Sequence, residues 1–187
     1  MEYKAISILV SGKGTNMKHI FQAINKKILS DFIIDSVISD RNCDAIKYAK
    51  KRDIKTFSLK KDKFLSKKID KILKKHFPYV IVLSGFLSIL DELFCKKWSG
   101  KIINIHPSLL PKYCGIGMYG MKVHKSVINN KEKISGATVH YVTKNIDKGP
   151  IILKKSCKIS NKETVLSLSK KVSLIEREIL IKSIKNL

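Results

Sequence analysis

The sequence predicts an α/β fold with a mostly parallel, twisted sheet and helices on both faces. Short apolar runs alternate with segments of helical spacing in the first half of the chain, and such alternation favours parallel strands. The first apolar run, 6–10, passes through a glycine turn directly into a helical pattern. No internal repeat and no linker rich in Pro, Gly or Ser divides the 187 residues, a length that suits one domain.

The elements of the first half follow in a regular order. After the strand at 6–10 and the turn at 11–16, apolar residues recur at helical spacing over 17–28. Further strands are predicted at 32–39, 54–58, 79–84 and 101–105, separated by helices at 43–52, 63–76 and 88–95. Ligands of open parallel sheets bind outside the carboxyl ends of the strands. We therefore expect a site formed by the segments at 11–16, 84–90 and 104–106.

The second half begins with a glycine-rich loop at 114–120. A short helix at 121–129, strands at 136–142 and 150–157, and a final helix from about Lys162 are predicted to follow. The turn at 145–150 is expected to join the two strands. We expect part of the loop, 115–120, to act as a flexible flap, because its glycines can absorb a backbone change.

The formal charge of +23 comes from 38 Lys and Arg residues against 15 Asp and Glu residues. Lysines that neutralise phosphates drive non-specific nucleic-acid binding. However, only Arg41, Arg52 and Arg177 are arginines, whereas nucleic-acid surfaces favour guanidinium for bidentate contacts. The lysines are also dispersed over nearly every polar face. We therefore expect no nucleic-acid partner. The positive field is instead expected to raise the rate at which anionic small substrates are captured.

The sequence predicts neither a membrane protein nor a secreted one. No apolar run approaches the length of a membrane span, and the N-terminus lacks the pattern of a signal peptide. The cysteines are widely separated and form no C-x-x-C pair, so neither a zinc site nor a disulfide framework is predicted; they are Cys43, Cys95, Cys114 and Cys157. We expect a cytoplasmic protein with reduced thiols.

The segment 104–111 reads N-I-H-P-S-L-L-P and lies at the end of an apolar strand. Side chains two apart in a strand point the same way, so Asn104 and His106 are expected to aim at one oxygen. An amide and an imidazole placed in this way can stabilise the oxyanion that develops in acyl transfer. Pro107 then stops the strand.

This segment resembles the signature of the folate-dependent formyltransferases. The resemblance continues through Lys112 and Tyr113 to 136–140 (G-A-T-V-H) and 146–152 (I-D-K-G-P-I-I). Three other segments resemble the same family, namely 11–16 (S-G-K-G-T-N), 82–90 (V-L-S-G-F-L-S-I-L) and 172–176 (V-S-L-I-E). Many relatives carry Arg where Ser88 stands. The resemblance implies the formyltransferase fold, with a Rossmann-like N-terminal half.

The resemblance also implies a role for particular residues. Asn104, His106 and Asp147 would surround the formyl group. The turn at 11–16 resembles the loop that holds the phosphate of the acceptor, at Gly14, Thr15 and Asn16, and the start of a helix suits an anion. The folate would contact Leu87, Ser88, Ile89, Leu90 and Asn104. The sugar and amino end of the acceptor would contact Ser173, Leu174, Ile175 and Glu176.

The expected reaction moves the formyl group of 10-formyltetrahydrofolate, a co-substrate, to the amine of 5-phosphoribosylglycinamide in de novo purine biosynthesis. The amine must lose a proton, and Asp147 is the candidate base. We also expect Asp147 to raise the pKa of His106 by favouring its charged form, so that His106 donates to the oxyanion and to the departing nitrogen. Asn104 is the uncharged second donor.

A single domain over 1–187 is predicted, with a phosphate-binding half at about 1–100 and a catalytic and folate-binding half at about 101–187. A methionyl-tRNA formyltransferase would be expected to carry a further RNA-binding domain, and a formyltetrahydrofolate hydrolase an N-terminal regulatory domain. The alternative of another class is a basic nucleic-acid-binding protein.

The remaining histidines carry weaker expectations. His140 is expected to face the cleft, whereas His19 and His76 lie on Lys-rich helices and are expected to be solvated. The alternative role for four side chains is metal binding; they are His106, His124, His140 and Asp147. Their spacing matches no zinc pattern, so no metal is predicted.

Overall fold

The computed structural model describes residues 3–187, and over these residues seven strands and six helices follow one another. In chain order they are β1 (Lys4–Val10), α1 (Thr15–Asn25), β2 (Phe32–Ser39), α2 (Asp44–Lys50), β3 (Lys55–Ser58), α3 (Leu65–His76), β4 (Val80–Ser84), α4 (Glu92–Lys97), β5 (Ile102–His106), α5 (Met121–Asn129), β6 (Ile134–Tyr141), β7 (Ile151–Lys158) and α6 (Val165–Lys185).

The strands form one sheet in the order β3-β2-β1-β4-β5-β6-β7. The pairs β1–β2, β1–β4, β2–β3 and β4–β5 are parallel, and β6–β7 is antiparallel. The predicted α/β class with a mostly parallel sheet is confirmed. Within residues 3–187, no helix combines the length and the apolar character needed to cross a membrane.

The chain divides into two compact units, Met1–Asn104 and Ile105–Leu187. In the first unit β1 pairs on both edges, with β2 and with β4, and Ile6, Ile8 and Leu9 have no exposed surface. Even the hydroxyl of Ser7 is buried, where it hydrogen-bonds Ser36 across the strands at 2.8 Å. Such near-continuous burial is typical of a parallel strand covered on both faces.

Gly14 sets the turn between β1 and α1. It has a left-handed backbone (φ 66°), and a Cβ added there would lie 2.7 Å from the Cβ of Ala45, which is too close for two carbons. Ala45 is in the first turn of α2, and its N–H donates to the carbonyl of Gly12 at 3.1 Å. The close approach of the turn to α2 therefore requires glycine at position 14.

In the second unit α6 packs against β6, β7 and α5. Its buried side chains recur every three or four residues, as expected for a helix with one apolar face. The helix begins with a capping box, in which Thr164 Oγ1 accepts from Ser167 N–H (3.1 Å) and Ser167 Oγ accepts from Thr164 N–H (2.9 Å).

The turn between β6 and β7 is closed tightly at its base. Tyr141 N–H donates to the carbonyl of Pro150 at 2.9 Å, and a Cβ at Gly149 would lie 1.8 Å from the Tyr141 oxygen. The position at 149 therefore has no room for a side chain. Asp147 lies within this turn.

Two helix starts differ from the predicted ones by three residues or more. The helix predicted from 88 begins at Glu92, because Asp91 has an extended backbone and its side chain accepts from Phe94 N–H at 2.8 Å. The last helix begins at Val165 rather than at about 162, after its cap at Thr164.

Candidate active site

Serines at the carboxyl ends of β1 and β4 join two loops of the first unit. Ser11 Oγ accepts from Leu87 N–H at 2.8 Å, and Ser84 Oγ accepts from Met17 N–H at 3.1 Å. Both serines are buried. The turn at 11–16 and the segment at 85–90, both predicted to bind substrates, are therefore linked to the same edge of the parallel sheet.

Asp40 follows β2 at that edge, and its side chain is fully buried. It accepts from Ser88 Oγ at 2.6 Å and from two nitrogens of Arg41, Nε at 2.9 Å and Nη2 at 3.0 Å. Burial would raise the pKa of Asp40, but the hydrogen bonds from Arg41, Ser88 and Ser11 hold it below its ordinary value. Asp40 is thus an ionised carboxylate that holds the 85–90 segment.

The predicted folate contacts differ in exposure. Leu87 and Ile89 expose their side chains, whereas Ser88 and Leu90 are buried. The Ser88 hydroxyl is used inside the protein, on Asp40. Arg41, through its two bonds to Asp40, places a guanidinium at this part of the sheet edge. Asp40 was not identified from the sequence as a residue that holds the site. The signal that could have indicated it is an acidic residue directly after a buried strand.

The predicted phosphate contacts lie at the start of α1. Gly14 is buried, Thr15 is exposed and Asn16 is half-buried. No side chain within residues 3–187 caps this helix. Among the residues described, the Oδ1 atom of Asn16 is buried and has no hydrogen-bond partner.

His106 is the last residue of β5 and is buried. Its Nε2 lies 2.8 Å from the backbone carbonyl of Tyr113. A carbonyl only accepts, so Nε2 carries the proton and donates. Nδ1 faces Asp147, with 3.7 Å between Nδ1 and Oδ2. Asn104 precedes His106 by two residues in the same strand and is half-buried.

Asp147 lies between two imidazoles in the second unit. Its Oδ2 accepts from Gly115 N–H at 2.9 Å, and its Oδ1 is 3.7 Å from Nε2 of His140. The other nitrogen of His140, Nδ1, lies 2.8 Å from the Tyr141 carbonyl and donates to it. Asp147 has a left-handed backbone (φ 56°), a conformation that Asp tolerates better than most residues.

The pKa of His106 is lowered, so the predicted rise was wrong. Burial is the largest cause, and the charge of His140 adds to it. The Tyr113 carbonyl and the Asp147 charge act in the predicted direction but are outweighed. Burial would raise the pKa of Asp147, but His140, Gly115 N–H and His106 together lower it. At neutral pH the site therefore holds an ionised carboxylate beside neutral His106.

The other histidines divide into two kinds. His124, in α5, is buried, and burial followed by the charge of His106 lowers its pKa. His76 was wrongly expected to be solvated: its side chain is 9% exposed, its Nδ1 pairs with Asp35, and its ring meets Phe57 edge-on. Among residues 3–187, no group of three or more His, Cys, Asp and Glu side chains is arranged to hold a metal.

The predicted acceptor contacts in α6 lie on different faces of that helix. Leu174 is exposed, Ile175 is buried, and Ser173 and Glu176 are half-buried. The loop at 115–120 is largely exposed, with Ile116 at 86%. Gly115, Gly117 and Gly120 have positive φ angles.

The family model described as formyl transferase matches residues 4–184. The trifunctional purine biosynthetic protein adenosine-3 of Gallus gallus is 31% identical over 176 residues, 91% of this chain and 17% of that protein. The chloroplastic phosphoribosylglycinamide formyltransferase of Arabidopsis thaliana is 27% identical, over 90% of this chain and 60% of that protein. The chain thus spans less than two thirds of the length of these curated relatives.

Solved structures are similar over nearly the whole chain. The phosphoribosylglycinamide formyltransferase of Coxiella burnetii is 33% identical, with a TM-score of 0.89, and the match covers 98% of this chain and 86% of that one. The phosphoribosylglycinamide formyltransferase of Anaplasma phagocytophilum is 32% identical, with a TM-score of 0.88 and coverage of 97% and 84%.

Proposed function

Because the chain belongs to the formyl transferase family, we propose that it transfers the formyl group of 10-formyltetrahydrofolate to the primary amine of 5-phosphoribosylglycinamide. The product would be formylglycinamide ribonucleotide, in de novo purine biosynthesis. The observation that carries most weight is the buried approach of His106 to Asp147, within the segments that resemble the formyltransferase signature. Relatives named as phosphoribosylglycinamide formyltransferases support this choice of acceptor.

Asp147 accepts the proton of the attacking amine. Its lowered pKa keeps it ionised at neutral pH, and also makes it a weak base. Attack on the formyl carbon leaves a positive charge on the nitrogen, and such a nitrogen is much more acidic than a free ammonium. A weak base therefore suffices if it acts after attack, which places the proton transfer to Asp147 in the tetrahedral adduct.

His106 is the donor to the oxyanion through Nδ1, because its Nε2–H is already donated to the Tyr113 carbonyl and Nδ1 faces Asp147. Nδ1 carries a proton only in the imidazolium, and that proton is the one that Asp147 takes from the amine and passes to Nδ1. A lowered pKa makes the imidazolium a stronger acid, so it then gives the Nδ1 proton to the departing folate nitrogen. Asn104 supplies the second, uncharged donor.

The binding roles follow the resemblance. Gly14, Thr15 and Asn16 would bind the phosphate, supported by the uncapped start of α1. The folate would contact Asn104 and the backbone of 87–90, where Leu87 and Ile89 also expose apolar surface. The sugar and amino end of the acceptor would contact Ser173, Leu174, Glu176 and the backbone of Ile175. The loop at 115–120 would close as a flap.

We further propose a cytoplasmic location and no nucleic-acid partner. The scarcity of arginine in this very basic chain supports the second point. Residues of about 1–100 would contribute phosphate binding, and those of about 101–187 catalysis and folate binding.

The test follows the absorbance change as 10-formyltetrahydrofolate loses its formyl group, with and without 5-phosphoribosylglycinamide. Formyl loss that requires the acceptor supports the transferase. Loss without the acceptor would indicate a hydrolase, and no loss in either case would reject formyl transfer. Asp147→Asn keeps the size of the side chain and removes its charge, so we expect it to lower kcat on the order of a hundredfold or more.

A further inference from the structure

The segment 112–115, here called the strap, contacts both proposed reacting groups of the second unit. The carbonyl of Tyr113 accepts from Nε2–H of His106 at 2.8 Å. Two residues later, Gly115 N–H donates to Asp147 Oδ2 at 2.9 Å. The position of this short piece of backbone therefore sets the tautomer of the imidazole and the orientation of the carboxylate together.

The strap does not rest in a relaxed conformation. Tyr113 has a left-handed backbone (φ 55°), which a bulky side chain rarely adopts. Such a conformation persists only where surrounding contacts impose it. The strap therefore depends on contacts outside its own backbone.

Glu132 supplies such contacts from the turn between α5 and β6. Its Oε1 accepts from the hydroxyl of Tyr113 and from Nζ of Lys112, both at 2.9 Å. These two donors lower the pKa of Glu132. Ser108 Oγ also contacts the strap, donating to the carbonyl of Lys112 at 2.6 Å. The strap is thus held by Ser108 and Glu132.

The two donors to Glu132 differ in their surroundings. The Lys112 side chain is 68% exposed, so solvent screens its attraction to the carboxylate. The Tyr113 hydroxyl bond is partly buried, and it acts on the residue whose carbonyl holds His106. The tyrosine hydroxyl is therefore the more effective anchor.

We propose that Glu132 is a positioning residue for the formyl transfer proposed above: by anchoring Tyr113 it keeps the Tyr113 carbonyl on His106 and the Gly115 amide on Asp147. This role rests on the proposed function, and it adds a residue that touches neither reacting group. Glu178 provides a contrast, since its exposed side chain pairs with Lys155 at the surface.

The first test measures the His106 tautomer by ¹⁵N nuclear magnetic resonance, without substrates. In the unmodified protein we expect the Nε2–H form. Glu132→Ala and Tyr113→Phe should increase the Nδ1–H fraction and move the titration of His106 to lower pH, because the carbonyl that favours its charged form is loosened. Glu132→Gln keeps an acceptor oxygen and should restore most of the original signal. Glu178→Ala is the control and should leave it unchanged.

The second test measures steady-state kinetics of the same variants. We expect kcat of Glu132→Ala and Tyr113→Phe to fall on the order of tenfold, with KM for both substrates near the original values, because misplaced reacting groups slow the reaction more than they weaken binding. Thermal unfolding of each variant shows whether it is folded. Tyr113→Phe removes one oxygen only, and remains informative if Glu132→Ala does not fold.

The outcomes separate the two proposals. An unchanged tautomer in both variants would overturn the positioning role, and so would a changed tautomer with kcat equal to that of Glu178→Ala. If the unmodified protein transfers no formyl group, the proposed function fails, whereas the tautomer measurement still decides whether Glu132 positions His106.

Discussion

His106 and Asp147 have both moved to lower pKa values, with opposite results for their charge. Burial dominates at His106 and leaves it neutral, whereas the donors around Asp147 outweigh burial and leave it ionised. Both groups are shielded from water, so their interaction is stronger than at the surface. At the residue scale, burial and hydrogen bonding together give two neighbouring groups different charge states, an ionised Asp147 and a neutral His106.

Replacing either proposed donor should slow turnover strongly. We expect Asn104→Ala and His106→Ala each to lower kcat on the order of a hundredfold, as loss of an oxyanion donor does. The formyl-transfer assay measures the effect, with Asn129→Ala, at the exposed end of α5, as the control. Near-normal turnover in both variants would contradict the mechanism.

The carboxyl ends of β1 and β2 and the 85–90 segment are tied together by one carboxylate, that of Asp40. This arrangement belongs to the scale of elements, because the partners of Asp40 come from three connections: Ser11 follows β1, Arg41 lies after β2, and Ser88 lies between β4 and α4. A buried carboxylate at this edge fixes where the loops of the first unit begin.

Asp40→Asn should therefore loosen the whole edge. The amide brings N–H donors toward Arg41 and Ser88, which are themselves donors, and we expect a loss of roughly 1–3 kcal/mol in the free energy of unfolding. Urea unfolding of Asp40→Asn and of the unmodified protein measures this loss. Asp44→Asn, at an exposed position of α2, should change stability by less than about 0.5 kcal/mol. Equal stability of the two variants would show that Asp40 does not hold the edge.

The packing of α1 and α2 at Gly14 can be tested with a pair of substitutions. Gly14→Ala should lose at least about 1–2 kcal/mol, since alanine disfavours the left-handed backbone and its Cβ meets Ala45. Adding Ala45→Gly removes the closest contact, that with the Ala45 Cβ, but neither the 3.0 Å contact with Met17 Cε nor the backbone cost. The double variant should therefore recover part of the loss beyond additivity. Strictly additive unfolding free energies would mean that the two positions do not collide.

Three strands could be placed from sequence because each contains a short apolar run between polar turns. β4 is apolar up to Ser84, β1 is interrupted by Ser7, and β2 was predicted over 32–39 although it contains Asp35 and Ser36. The start of α4 instead depended on the cap at Asp91. His76 was misjudged because its lysine-rich helix hides one side chain turned toward Asp35. Asp35 precedes His76 by 41 residues, so no local pattern links them.

For the molecule as a whole, acid should weaken the fold in two stages. His106 and His124 have folded pKa values below 6.5, so the unfolded chain binds more protons as pH falls below that value, and stability is lost. Asp40 and Asp147 have folded pKa values below 3.8. The stability they contribute is present above 3.8 and is lost as pH falls through their folded values.

Urea unfolding at about pH 7.5 and about pH 5.5 tests the first stage, and we expect lower stability at the acidic value. His124→Gln removes one of the two groups and should reduce the difference between the two conditions. If the free energy of unfolding of this variant differs between the two pH values as much as that of the unmodified protein, His124 does not contribute to the loss of stability in acid.

Only part of the site could be predicted from the sequence. The signature placed His106 and Asp147 among the candidates, and the structure brings these two together. The strap was not predictable, because it acts through the backbone carbonyl of Tyr113 and the backbone amide of Gly115, which leave no mark in the pattern of side chains. The pKa direction at His106 was missed because burial depends on the packing of the whole unit.

The base of the β6–β7 turn has a consequence for how this protein can change over generations. With 1.8 Å between an imagined Cβ at position 149 and the Tyr141 oxygen, any codon change there that encodes a side chain must displace the backbone that carries Asp147. A saturation library at 149 would retain glycine alone among active clones. Substitution at position 149 is therefore not a route by which the surroundings of the proposed base, Asp147, can change gradually.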